Sequence, residues 1–276
     1  MCLTNRYGKP VCLFIILIGL VSCTKRETEF GLHKSQDQFI EPSIIKSQYE
    51  VPVTLMERND SVALKLLPNL KKITWLEIDS TYIEELDLLT VSYGLVKDDK
   101  LSTYVVYEGK HLPLSVFLST IWKDHKGFNF WIDLKNLNES NAQKVCEHVQ
   151  KSFPEDIKSR LFIESPKANG LINLRKNGCT NLIYWLGGTK LGNMNFFKRI
   201  LFQLKIYFLV RPSYVSQSYT VLENGETYLP LLPKAVWTND IQNSHDSKVK
   251  VRQTIEELRS RSNLILLDKN ILDDYL

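Results

Sequence analysis

Between about residue 50 and residue 268, short apolar runs alternate with amphipathic stretches. The runs Val51–Leu55, Ile73–Asp79, Thr103–Tyr107, Phe128–Leu134, Leu161–Ser165, Asn181–Leu186, Tyr214–Thr220, Ala235–Thr238 and Leu264–Leu267 are rich in Val, Ile, Tyr, Phe and Trp and read as strands. Helical spacing recurs between them. Leu114, Phe117, Leu118 and Ile121 share one face, as do Val251, Ile255 and Leu258 within Lys248–Arg261. Ser61–Leu70 repeats the pattern through Val62, Leu66 and Leu70, and Ser140–Phe153 opens at a candidate Ser N-cap. Strand–helix alternation of this length predicts an α/β fold, a (β/α)8 TIM-type barrel with its site at the strand C-termini. The runs number nine, so at least one of them is expected to be peripheral or misassigned. Residues 187–210 form a basic, aromatic stretch with Phe196, Phe197, Phe202, Tyr207 and Phe208 beside Lys190, Lys198, Arg199 and Lys205. A barrel helix with an extended loop explains it through core packing, and a membrane-surface face is the alternative.

The N-terminus changes the picture. Arg6 and Lys9 precede an apolar run, Val11–Leu20, which leads to Leu20-Val21-Ser22-Cys23 and then Thr24-Lys25-Arg26. A basic start, a short apolar core and a small residue before the cut describe a secretory signal, too short to span a bilayer comfortably. Leu-Val-Ser-Cys resembles a bacterial lipobox, which makes Cys23 the lipidated residue. The expected organisation is a signal over 1–22, a lipidated polar tether over 23–48 and a barrel domain over 49–276. The chain would then sit in the bacterial cell envelope, on the periplasmic or cell-surface side, held to the membrane through its N-terminal lipid. Cys146 and Cys179 either pair in that oxidising setting or remain two buried thiols.

Composition fits this and narrows the function. The chain is 43% hydrophobic and 24% charged, with a net charge of +4 that does not demand a nucleic-acid partner. There is no Gly-x-Ser-x-Gly elbow, no Walker or dinucleotide loop and no Cys/His zinc spacing.

Candidate chemistry sits at two strand ends. Trp75-Leu76-Glu77-Ile78-Asp79 puts Glu77 and Asp79 on one face, and Phe130-Trp131-Ile132-Asp133-Leu134-Lys135-Asn136 does the same for Asp133 and Lys135. In a barrel these groups would meet at the mouth. Three carboxylates there would suit Mg2+ or Ca2+, and a lysine would stabilise an anion. Structural ion pairs, such as Glu77 or Asp133 with Lys135, are the other reading.

These residues resemble the phosphodiesterase superfamily that contains glycerophosphodiester phosphodiesterases and phosphatidylinositol-specific phospholipase C, in a divergent branch with a W-x-D-x-K-N strand. Glu77-Ile78-Asp79 matches the acidic metal-binding strand, and Trp131 to Asn136 matches the second acidic strand. Phe162-Ile163-Glu164-Ser165 resembles the fifth-strand motif, and Val236-Trp237-Thr238-Asn239-Asp240 the late W-T-x-N strand. The resemblance implies a PLC-like phosphodiesterase barrel with metal ligands Glu77, Asp79 and Asp133 and substrate contacts from Arg58, Lys135 and Trp237.

The departures lie at the acid–base positions. The family places a His after the first strand, where this chain has Glu57 followed by Arg58 and Asn59. Its second His, at the end of the third strand, falls on Val91-Ser92-Tyr93-Gly94 or on Val105-Val106-Tyr107-Glu108-Gly109, and neither contains one. Proton transfer would fall to Glu57, Glu108 or His111. The sequence therefore points to a barrel degenerate at these positions that binds a phosphodiester, lipid or glycan ligand at its mouth. The alternative is a metal-dependent phosphoric diester hydrolase acting on a glycerophosphodiester, a phospholipid headgroup or a glycan phosphodiester.

Overall fold

Strand β2 (Ile73–Ile83) buries both of its faces. Leu76 and Ile78 join one apolar cluster, while Trp75, two residues from Glu77, joins another. Burial on both faces is the signature of a parallel sheet covered by helices. The computed structural model describes residues 53–56, 73–91, 106–107, 110–187, 194–222, 226, 228–238 and 248–268, all within one compact unit, 46–276.

The remaining strands are β1 (Val53–Met56), β3 (Leu88–Val91), β4 (Val106–Tyr107), β5 (Lys110–His111), β6 (Asn129–Leu134), β7 (Leu161–Ser165), β8 (Leu182–Trp185), β9 (Tyr214–Ser218), β10 (Lys234–Trp237) and β11 (Leu264–Asp268). Parallel pairing runs β1-β2-β6-β7-β8-β9-β10-β11, and β1 pairs with both β2 and β11. That double pairing closes eight parallel strands into an α/β barrel. Helices α1 (Leu114–Asp124), α2 (Ala142–Ser152), α3 (Glu155–Lys158), α4 (Ala168–Lys176), α5 (Phe196–Leu204) and α6 (Lys248–Arg261) lie in the connections. α5 continues as a π-helical turn over Lys205–Val210.

The expected ninth strand is the peripheral one. Of Thr103–Tyr107, the described residues Val106 and Tyr107 pair antiparallel with β5, outside the ring. A second addition is β3, which pairs antiparallel with the outward extension of β2, Val91 opposite Ser80. The helix expected from Ser140 begins at Ala142. Ser140 Oγ donates instead to Asn138 Oδ1 at 2.6 Å, and Asn141 takes the N-cap. The amphipathic stretch Ser61–Leu70 lies outside the described residues.

Inside the ring, Trp75, Phe162 and Tyr214 fill the end where the strands begin, with Trp75 4.7 Å from Phe162 and 5.6 Å from Tyr214 between ring centroids. Trp131, Ile183, Ala235, Leu264 and Leu266 pack with them. The strands' outer residues and the helices' inner faces form the larger cluster, with Phe130, Leu114 and Leu118 fully enclosed. Burying each such side chain contributes about 1.5–3 kcal/mol. Cys146 on α2 and Cys179 before β8 are joined in a disulfide, with Cα atoms 5.9 Å apart.

Candidate metal and phosphodiester site

Strand alternation sends every second residue inward, so β2 delivers Glu77 and then Asp79, and β6 delivers Asp133 beside Asp79. One carboxylate oxygen from each of Glu77, Asp79 and Asp133 lies within 4.8 Å of the others. Glu77 is the deepest, 6% exposed, while the side chains of Asp79 and Asp133 retain 21% and 20%. Lys135, one turn of the pleat beyond Asp133, returns over the cluster. Its Nζ is 2.7 Å from Asp79 Oδ1 and also donates to Asp133 Oδ2.

The loop after β6 is held by amides. Asn136 accepts from the Tyr82 N–H at 3.0 Å and donates to the Tyr82 carbonyl at 2.8 Å, mimicking one more residue of strand pairing against the β2 extension. Asn141 Nδ2 donates to the Asn136 carbonyl at 2.9 Å. Lys135 is therefore fixed on both sides: its own N–H donates to the Ser80 carbonyl at 3.0 Å.

Charge crowding and burial set the electrostatics. Burial pushes Glu77 well above the usual carboxylate range, and neighbouring Asp79 adds to this while Lys135 opposes it. Asp133 is also raised, chiefly by burial, against the stabilising ammonium of Lys135. Burial works against the charge on Lys135, but Asp133, Asp79 and Glu77 together hold it above the ordinary lysine value. Below the mouth, Glu164 on β7 accepts hydrogen bonds from Trp131 Nε1 at 3.0 Å and from Ser216 Oγ. Burial raises its pKa to about 8, with Asp133 contributing. Four carboxylates thus crowd the upper barrel around Lys135, and extra positive charge there would relieve the crowding. An all-oxygen donor set at this spacing fits a hard divalent cation.

Across the mouth stand two tryptophans. Trp237 ends β10, half-buried, with its ring 5.9 Å from Trp185 at the end of β8. The Trp185 indole nitrogen is buried without a hydrogen-bond partner. Gly187 packs directly on that indole; a Cβ there would fall 2.0 Å from the nitrogen. Two apolar ring faces across the mouth from a charged cluster make a surface for an amphipathic ligand.

The structure thus brings together Glu77, Asp79, Asp133 and Lys135, with Trp237 at the rim of the same mouth. Glu57, Arg58 and Glu108 lie outside the described residues. His111 ends β5, in the two-stranded hairpin outside the ring. The other described histidines are away from the mouth. His125 stacks on Phe128, 5.0 Å between rings, where β6 begins, and His148 contacts Ser152 on α2 at 3.2 Å. The sequence reading did not assign Glu164, Ser216 or Trp185. Glu164 carried a signal, an acid at an inward position between Phe162 and the strand end. Ser216 and Trp185 carried none that separates them from ordinary strand residues.

The fold has known counterparts. A glycerophosphodiester phosphodiesterase from Parabacteroides distasonis superposes with TM-score 0.55, covering 82% of this chain and 97% of that one at 12% identity. One from Thermotoga maritima gives 0.51, covering 81% and 97% at 16% identity. A Galdieria sulphuraria protein assigned to the same enzyme class gives 0.55, covering 82% and 96% at 16% identity. The fold is that of the glycerophosphodiester phosphodiesterases. No family model and no curated relative matches the sequence itself. At such identities the glycerophosphodiesterase likeness is one of fold, and activity has to be argued from the site.

Proposed function

We propose that this chain is a divergent member of the PLC-like phosphodiesterase superfamily that binds a phosphodiester at the barrel mouth and has lost efficient hydrolysis. The observation that carries the reading is the convergence of Glu77, Asp79 and Asp133 under Lys135. Glu77, Asp79 and Asp133 would hold Mg2+ or Ca2+. When bound, such an ion polarises a phosphoryl oxygen. Lys135, drawn partly off the carboxylates, would turn its ammonium to a second phosphate oxygen, as a point charge suited to anions. Trp237 and Trp185 would pack the carbon face of the attached alcohol.

Loss of hydrolysis is argued from proton transfer. Leaving-group departure needs a proton donor within hydrogen-bond reach, and imidazole, with a pKa near 6.5, is the commonest supplier. Neither His125 nor His148 is at the mouth. One observation favours the hydrolase reading: the three carboxylates and the lysine are all retained at 4.8 Å or closer spacing, which a pure binding module does not require. Glu57, Glu108 or His111 would then move the proton.

The lipoprotein reading is part of the same proposal. An intact Cys146–Cys179 disulfide supports an oxidising compartment, and Cys23 would supply the anchor. Phosphorus-31 NMR of glycerophosphocholine and glycerophosphoinositol with the protein and Mg2+ or Ca2+ separates the readings. Line broadening without a new resonance supports the binding module. Growth of a phosphomonoester resonance supports the hydrolase. Unchanged spectra with both ions overturn both.

A further inference from the structure

Helix α5 and its π-helical continuation are apolar on two opposite faces. On the inner face Ile206 and Val210 are fully buried, and Phe202 and Tyr207 pack against the main core. On the outer face Phe197 and Leu201, one turn apart, are followed by Phe208 and Leu209, with Phe196 at the first turn. Leu231, also exposed, lies beside the π-helical turn, its N–H donating to Tyr207 Oη at 3.2 Å. These six side chains are between 54% and 84% exposed, and they make up most of the exposed large hydrophobic residues among the described residues. A helix with apolar side chains on two opposite faces can bury both only with two apolar partners, and the barrel supplies one.

Charge indicates the second partner. From Met194 to Leu222 the chain has Lys198, Arg199, Lys205 and Arg211 and no Asp or Glu. Lys198 and Arg211 are exposed beside the strip. A second copy of the chain meeting this face about a two-fold axis would set these bases against themselves. A bilayer surface with anionic lipids offers acyl chains to the phenylalanines and phosphates to the bases, and long basic side chains reach outward from an apolar strip to do this. Among the described residues no helix is long and apolar enough to cross a membrane, so contact would be along the surface. α5 is N-capped by Asn195, ten residues after β8 ends at Trp185 on the barrel mouth.

We propose that the outer face of 196–210, with Leu231, is a membrane-surface docking strip for anionic lipid. It holds the barrel against the bilayer independently of the N-terminal segment, and it requires neither cation binding nor hydrolysis at the mouth. Failure of the cation or phosphodiester experiments would therefore leave it standing, and its own failure would leave them standing.

Hydrogen–deuterium exchange of the full chain tests it locally, so attachment through residues 1–52 does not mask the result. The protein is compared alone, with phosphatidylcholine vesicles, and with vesicles of phosphatidylglycerol and phosphatidylcholine at one to three. Amides of 196–210 should exchange at least about tenfold more slowly on the anionic vesicles, while α1, which carries the exposed control Val116, stays unchanged. A Phe197→Glu, Leu201→Glu variant should lose the slowing. Its exposed positions allow folding to be verified by an unchanged melting temperature, and Lys198→Glu, Arg211→Glu provides a second variant with the same expected loss. Unchanged exchange in 196–210 on anionic vesicles would overturn the proposal. So would slowing that appears without vesicles and grows with protein concentration, which would assign the strip to a second protein molecule.

Discussion

Lys135 Nζ lies 2.7 Å from Asp79 Oδ1 while also hydrogen-bonded to Asp133, so the chain places its own cation between two of three converging carboxylates. This contact makes the cluster tolerable without a metal, and it defines what a divalent ion would have to compete with.

Replacing the ammonium by an apolar chain of similar length separates these effects. Lys135→Met leaves Asp79 and Asp133 facing each other and should lower stability by about 3 kcal/mol at pH 8, measured by urea denaturation. The same variant should bind Mg2+ or Ca2+ more tightly, on the order of tenfold, because the competing charge is gone. Binding of a phosphodiester to the ion-loaded protein should weaken, since its second anion contact is lost.

The buried carboxyls predict an unusual pH dependence. Glu164 has its pKa raised to about 8 in the folded protein, against about 4.3 for an unfolded glutamate. A raised acid binds its proton more tightly when folded, so its contribution is complete below about pH 4.3 and is lost as pH rises through 8. Glu77 and Asp133 are raised too and act in the same direction. Without divalent ions, the melting temperature should fall between about pH 5 and 9. Glu164→Gln, which keeps an acceptor for Trp131, should flatten that fall. A melting temperature that rises over this range would contradict the assignment.

Asn136 acts on the site through the backbone. Asn136→Ala removes both hydrogen bonds to Tyr82 and should cost about 1–2 kcal/mol. Because Lys135 is the preceding residue and its ammonium competes with a divalent ion, loosening it should also tighten divalent-ion binding several-fold by titration. An equal loss of stability with unchanged ion affinity would make Asn136 a structural residue only.

Reduction should reveal the disulfide. Cys146 and Cys179 are 33 residues apart, which predicts about 3–4 kcal/mol from restricting the unfolded chain. Cys146→Ala, Cys179→Ala should melt as the reduced wild type does, and a reductant should no longer shift it.

The strand spacing of Glu77, Asp79, Asp133 and Lys135 was legible because period-two alternation and parallel register determine which side chains share a face. The same logic located seven of the eight ring strands to within a few residues among described segments, and the eighth in part. It could not identify the outsider. Val106 and Tyr107 suit any pairing, and the choice between a ring strand and a hairpin is made by partners distant in sequence. The ion pair and the metal site were both open from spacing, and the structure shows why: Lys135 and the carboxylates occupy one cluster. The Glu164–Ser216 contact, 52 residues apart, depends on barrel closure and had no local trace. Pairing of Cys146 with Cys179 likewise required a Cα distance that no spacing supplies.

The central claim is that the three carboxylates form a divalent-ion site. It is tested most directly by calorimetric titration of Mg2+ and Ca2+ into the wild-type protein and Asp79→Ala. Saturable binding of one ion in the wild type, abolished by the substitution, is the predicted result. Absence of binding in the wild type, or equal binding in the variant, would contradict it and leave Glu77, Asp79 and Asp133 as the structural partners of Lys135.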